Sequence, residues 1–226
     1  MENKIVIPTG YMGSGSSAVT DLLSEVDGYS CTNGNFEYVF MHCPNGVFDL
    51  EDKLLKGNNA LRSDEALHTF YSCMKTLYAN KHYWVANYKD RVGSDFMKWC
   101  EEFISSLIDE RTKDVYWYYQ ENPNAKIYIE KALAKIIKLV TSGKVLPKPG
   151  LRYEEMWLSY TTPSEFYSSA KILLDNFFLQ MGISNSNIIL DQFVLPHNLY
   201  RIENYFEDNC KVIVVDRDPR DVFLLN

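Results

Sequence analysis

A chain of 226 residues is long enough to bury one substantial core, and a single domain over residues 1–226 is expected. Hydrophobic residues at 46% and charged residues at 23% exclude a disordered chain. A net charge of −7 argues against nucleic acid and heparin-like polyanions, which need a positive field on the protein.

The run Lys4 to Thr9, with Ile5-Val6-Ile7 at its centre, is short, β-branched and bounded by Pro8 and Gly10, the pattern of a buried strand. Directly after it comes Gly10-Tyr11-Met12-Gly13-Ser14-Gly15-Ser16-Ser17. From Ser17 to Glu25 the apolar Ala18, Val19, Leu22 and Leu23 then recur at helical spacing. Strand, glycine-rich turn and helix together predict a phosphate-binding loop. Its glycines let backbone N–H groups converge on an anion, and the helix N-terminus adds partial positive charge. A nucleoside-triphosphate enzyme places a lysine in this loop to reach the terminal phosphates. Here Ser16 stands at that position.

Further along, Glu37 and His42 follow the small loop Thr32-Asn33-Gly34-Asn35, where an acceptor-facing base could sit, and Arg62 is a candidate for the missing cation. Each is more readily explained as a structural residue. Ser63-Asp64-Glu65 predicts the capped start of a helix to Ala79, and Tyr83 to Tyr88 a short strand. Asp95 to Leu107 and Ala125 to Val140 carry the spacing of amphipathic helices. The aromatic cluster Tyr116-Trp117-Tyr118-Tyr119 serves either a core or an acceptor-stacking wall. Ser142-Gly143-Lys144 ends a helix and Pro147-Lys148-Pro149-Gly150 forms a loop.

Thr162-Pro163-Ser164-Glu165 opens a helix to about Met181, closed by Gly182, and Ile188-Ile189-Leu190 is a short strand ending at Asp191-Gln192. A last buried strand, Lys211 to Val215, is expected to run into Asp216-Arg217-Asp218-Pro219-Arg220-Asp221-Val222. Arginine at the carboxyl end of a parallel strand lies where doubly wound sheets bind ligands, and its planar fork suits phosphate. Pro219 fits the first turn of a new helix. The fold class expected is α/β: a P-loop NTPase-like parallel sheet flanked by helices, with long helical insertions. Five scattered cysteines predict buried thiols without disulfides or zinc. Met1-Glu2-Asn3-Lys4 leaves no room for a signal peptide, and no apolar run reaches membrane-spanning length, so a cytoplasmic protein is expected.

With these two segments the chain resembles the sulfotransferases that use 3′-phosphoadenosine 5′-phosphosulfate (PAPS). In that family a P-loop-like turn holds the 5′-phosphosulfate and a strand ending in Arg-Asp/Asn-Pro-Arg/Lys-Asp-Val holds the 3′-phosphate. Gly13-Ser14-Gly15-Ser16-Ser17 matches the first and Arg217-Asp218-Pro219-Arg220-Asp221-Val222 the second. The resemblance covers the first 25 or so residues and the last 40. It implies PAPS as donor and 3′-phosphoadenosine 5′-phosphate (PAP) as product, without a metal. It further implies Gly13, Ser14, Gly15, Ser16, Ser17, Arg217 and Arg220 at the donor, and a small-molecule, glycan or lipid acceptor.

Three departures stand against the family pattern. Gly13 replaces a lysine or arginine, Leu225 replaces a serine that assists with the 3′-phosphate, and the chain stops at Asn226, where the family continues, so a fragment is expected. The proton acceptor stays open between Asp191, at the end of a strand, and His197, whose ordinary pKa suits proton transfer near neutrality. Two other readings remain: a P-loop kinase or NTPase with Asp216 holding magnesium, and a nucleotide-binding domain without turnover.

Overall fold

The computed structural model describes residues 4–32, 36–113, 115, 125–145, 152–184 and 186–223. In chain order the elements are β1 (Ile5–Gly10), α1 (Ser16–Ser24), β2 (Tyr29–Cys31), α2 (Val39–His42), α3 (Val47–Leu55), α4 (Ala60–Ala79), α5 (Tyr88–Arg91), α6 (Phe96–Leu107) and β3 (Glu110–Lys113). Then follow α7 (Ala125–Val140), β4 (Glu155–Leu158), α8 (Pro163–Gln180), β5 (Asn187–Ile189), α9 (Ile202–Phe206), β6 (Cys210–Val215) and α10 (Pro219–Phe223). Short 3₁₀ turns occupy Pro196–Arg201 and Glu207–Asn209.

The protein is α/β. Four strands form an all-parallel sheet in the order β2-β5-β1-β6, flanked by helices. A central strand buried on both faces reads as a continuous apolar run, and that is why Ile5-Val6-Ile7 stands out in the sequence. The burial expected of Val212 to Val215 is corrected: β6 lies at the edge of the sheet, with Ile213 and Val214 exposed. Alternate side chains divide between the faces. Ile5, Ile7, Ile188, Leu190 and Val212 join a large core built with α3, α4, α6 and α8, whereas Val6 and Ile189 turn the other way. Helix α1 lies against β1, β2 and β5.

Pro8 sits in a central strand, where a missing N–H would ordinarily cost a ladder hydrogen bond. Here the β1–β5 ladder uses Pro8 only as an acceptor and ends there. Its last bonds are Leu190 N–H to Val6 O (3.0 Å) and Gln192 N–H to Pro8 O (2.9 Å), and the Leu190 carbonyl accepts from Phe193 N–H instead (3.5 Å). The chain therefore turns sharply after β5, with Gln192 in the left-handed region (φ 50°).

Most of the predicted helices form. Helix α8 opens with a full capping box between Thr162 and Glu165, with Pro163 in its first turn, and Gly182 follows its end at φ +72°. Helix α4 begins earlier than expected: Asn59 accepts from Arg62 N–H (3.0 Å), and Ser63 lies buried inside the helix. The predicted strand at Tyr83–Tyr88 is corrected. Residues 81–85 are turns and bends, Asn87 takes a positive φ of 61° that ends any extended run, and Tyr88 starts α5. A ribbon of β3 and β4, antiparallel from Glu110↔Leu158 to Lys113↔Glu155, was not expected, since Glu110-Arg111-Thr112-Lys113 carries no apolar alternation.

The five cysteines are thiols, but only Cys100 is fully buried, and Cys43 Sγ lies 3.6 Å from Cys73 Sγ. Among the described residues no helix is long and apolar enough to cross a membrane. Expectations for Asn33–Asn35, Tyr116–Tyr119, Pro147–Gly150 and the last three positions, Leu225 included, lie outside the described residues.

Candidate functional site

β1 and β6 are parallel neighbours in register from Ile5↔Cys210 to Gly10↔Val215. Both chains therefore leave the sheet at its carboxyl edge, side by side. The glycine-rich loop follows one strand and Asp216-Arg217-Asp218-Pro219 the other. The contact is close. A Cβ added at Gly10 would lie 2.6 Å from the Val215 carbonyl oxygen and 2.1 Å from Ser14 Oγ, so only glycine lets the loop fold back against β6. A Cβ at Gly13 would lie 3.0 Å from Cγ1 of Val222 on α10. The two sequence motifs thus touch.

The loop closes with Ser14 N–H to Tyr11 O (2.9 Å), and Gly15, left-handed at φ +93°, leads into α1. No side chain caps α1 and no acidic residue occupies its first turn. Its first N–H groups keep their hydrogen-bonding capacity, the feature that makes a helix N-terminus an anion site. A Cβ at Gly15 would meet nothing within 4 Å, so space is open there. Ser14 Oγ is buried without a hydrogen-bond partner among the described residues, a polar atom that an incoming phosphate oxygen would satisfy.

The turn after β5 faces the same loop. Gln192 Nε2 donates to Ser16 Oγ (3.1 Å) and Ser17 Oγ donates to Asp191 Oδ2 (3.4 Å). Burial pushes the Asp191 carboxyl above its ordinary 3.8, with the Thr20 and Ser17 hydroxyls pulling it down and the Asp21 charge adding to the rise. A folded-state pKa above the unfolded one means that the ionised form is disfavoured in the fold. The penalty is present above the folded pKa and vanishes below the unfolded value. Asp191→Asn is therefore expected to raise the thermal midpoint at pH 7, with the advantage fading as pH falls toward about 4. A variant less stable than wild type at pH 7, and level with it at pH 4, would contradict this placement.

Glu37, a candidate base in the sequence, is linked electrostatically to Asp191, and Arg91, which carried no signal there, to Glu37. Burial, and after it the Asp191 charge, raise the Glu37 carboxyl above its ordinary 4.5, while the Arg91 guanidinium pulls it down. Glu37 and Arg91 are thus electrostatic neighbours at the crevice. Arg91 also lies over the Phe36 ring (5.4 Å) and donates to Trp84 O (3.0 Å). Nothing in the local sequence marks it, since it comes from α5, far along the chain from the loop.

The arginines after β6 differ. Arg220 is folded onto Asp218, with Nε 3.0 and 3.1 Å from the two carboxylate oxygens. Arg217 is exposed, and its side chain has no hydrogen-bond partner among the described residues; its backbone N–H donates to Asp216 Oδ1 (2.9 Å). His197 is exposed at the Pro196–Arg201 turn, within electrostatic reach of His42, whose pKa is lowered by burial first and then by His197. Arg62 lies at the start of α4 beside Gly57, 3.6 Å from where a Cβ would stand there, and its side chain makes no hydrogen bond or ion pair with the loop among the described residues. No protein-family model, no curated protein and no solved structure matches this chain.

Proposed function

We propose that the crevice holds an adenosine bearing phosphates at both its 5′ and 3′ ends, and that the protein is a sulfotransferase using PAPS as donor. One observation carries this reading: the Gly10↔Val215 register sets an uncapped, glycine-rich helix start beside an arginine whose side chain has no hydrogen-bond partner among the described residues. In this reading the sheet is of the P-loop NTPase-like kind. The backbone N–H groups from Gly13 to Ser17 and the hydroxyls of Ser14, Ser16 and Ser17 hold the 5′ end. Arg217 forks onto the 3′-phosphate. Arg220, already paired with Asp218, shapes the turn.

The donor supplies an activated sulfuryl group: the acceptor oxygen or nitrogen bonds to sulfur as the bond from sulfur to the phosphate oxygen breaks, and PAP leaves. Glu37 takes the acceptor's proton, its raised pKa making it a better base than an ordinary carboxylate. Asp191, held by Ser17, positions the loop. His197 remains the alternative proton acceptor. Arg91 supplies positive charge near the sulfuryl oxygens, the role left by the absent loop lysine. The acceptor is a small molecule, glycan or lipid bearing a hydroxyl or amine.

Arg217→Ala tests the reading. Losing a charge-assisted fork costs about 2–3 kcal/mol, or roughly 30- to 150-fold in PAP affinity. Affinity for 5′-AMP, which lacks the 3′-phosphate, is expected to change little. Equal losses for both ligands would place the 3′-phosphate elsewhere.

A second reading has its own support. A hydroxyl and a carboxylate paired at the end of a phosphate loop, as in Ser17 and Asp191, form the arrangement with which P-loop kinases and NTPases hold magnesium. Asp191 fits that role better than Asp216, whose carboxylate takes the Arg217 N–H. Magnesium-dependent ATP binding would favour it. Binding of PAP without sulfate transfer would leave a non-catalytic nucleotide-binding domain.

A further inference from the structure

Helix α7 is unlike the rest of the fold. No other described helix or strand packs closely against it, and its large apolar side chains are exposed, Leu139 to 82% and Val140 to 77%. At 100° per residue, Tyr128, Ile129, Leu133, Ile136, Leu139 and Val140 share one side of the helix. Lys131, Lys135 and Lys138 share the other. From Tyr128 to Lys144 the chain holds four lysines against the single Glu130, within a protein of net charge −7.

We propose that α7 is an interfacial helix that lays its apolar side into the surface of a membrane containing anionic lipids. A strongly apolar side opposed by lysines is the composition of helices that lie in the headgroup region. Sixteen residues make about 24 Å of helix at 1.5 Å per residue, shorter than the hydrocarbon core, so α7 lies on the bilayer without spanning it. Charge selects the partner. Anionic headgroups can meet the lysines that flank the apolar side, Lys135 and Lys138 among them, whereas a second copy of α7 stacked on that apolar side would leave these lysines in solvent with no opposite charge gained. This proposal is independent of the nucleotide reading.

The test is flotation of the full chain with vesicles of phosphatidylcholine alone or with about one-third phosphatidylglycerol. The protein is expected to float with the anionic vesicles and to be released by salt. At about fivefold per lysine, K135E/K138E/K144E is expected to lower partitioning by roughly 100-fold or more. Leu133→Asp combined with Ile136→Asp should abolish it, with helical circular dichroism retained because neither side chain lies in the core. Three results would overturn the proposal: no flotation with anionic vesicles, flotation unchanged by either variant, or a dimer in vesicle-free solution that the double aspartate variant dissociates.

Discussion

Glu37→Gln is expected to slow sulfuryl transfer by about 10²- to 10⁴-fold, the usual contribution of a general base, while PAP affinity stays within about twofold. Glutamine keeps the shape and removes the basic lone pair. The pH profile gives an independent sign. Burial and the Asp191 charge hold the Glu37 carboxyl above 4.5. The base must be ionised, so activity is expected to fall as pH drops through that raised value, with the acid limb above pH 4.5. In Glu37→Gln that limb disappears with the activity it governed. A variant with an unchanged rate, or one that keeps the acid limb, would pass the role of base to His197.

Arg201→Leu is expected to cost about 3–5 kcal/mol of stability, the largest effect of any single substitution considered for this fold. Arg201 is only 4% exposed and Glu51 3%. Its Nη1 lies 3.0 Å from Glu51 Oε1, its Nη2 pairs with Asp52, and the Tyr167 and Tyr205 hydroxyls donate to Glu51 at 3.0 and 2.9 Å. The guanidinium also lies over the rings of Phe48 and Tyr200. Removing it strands the Glu51 carboxylate in the core with two neutral donors. Adding Glu51→Gln removes the stranded charge while keeping an acceptor for a tyrosine, so the double variant should recover much of the loss. Urea unfolding measures both. A loss below about 1 kcal/mol would show that water reaches Glu51 once the arginine is gone.

The parts legible in the sequence are those where local chemistry and tertiary role agree. Ile5-Val6-Ile7 forms a strand because a central parallel strand buried on both faces needs an unbroken apolar run, and the β-branched Val212 to Val215 pairs beside it at the edge of the sheet. Thr162 and Glu165 cap α8 because the box closes within one turn. The glycine-rich loop shows itself through residues whose backbones must go where a side chain cannot follow.

What stayed hidden depends on distance along the chain. Arg91 lies on a four-residue helix just beyond the expected strand Tyr83–Tyr88, and its tie to Glu37 is electrostatic. How β1 tolerates Pro8 was not legible either: the Leu190 carbonyl that a Pro8 N–H would reach accepts from Phe193 N–H instead. The β3–β4 ribbon is stabilised across its strands, with Arg111 over the Trp157 ring and in an ion pair with Glu155, so neither segment reads as a strand by itself. Asn59 in place of Ser63 as the cap of α4 is a smaller case: both residue types can cap, and burial of Ser63 against the core decided between them.

Calorimetric titration of the purified chain in EDTA, with PAP, 5′-AMP and ATP in parallel, tests the shared crevice most directly. A site built from the loop on one side and Arg217 on the other predicts PAP binding without magnesium, with an affinity at least about tenfold above 5′-AMP, since the 3′-phosphate adds a charge-assisted contact. PAP binding no tighter than 5′-AMP, or nucleotide binding seen only as ATP with added magnesium, would contradict it.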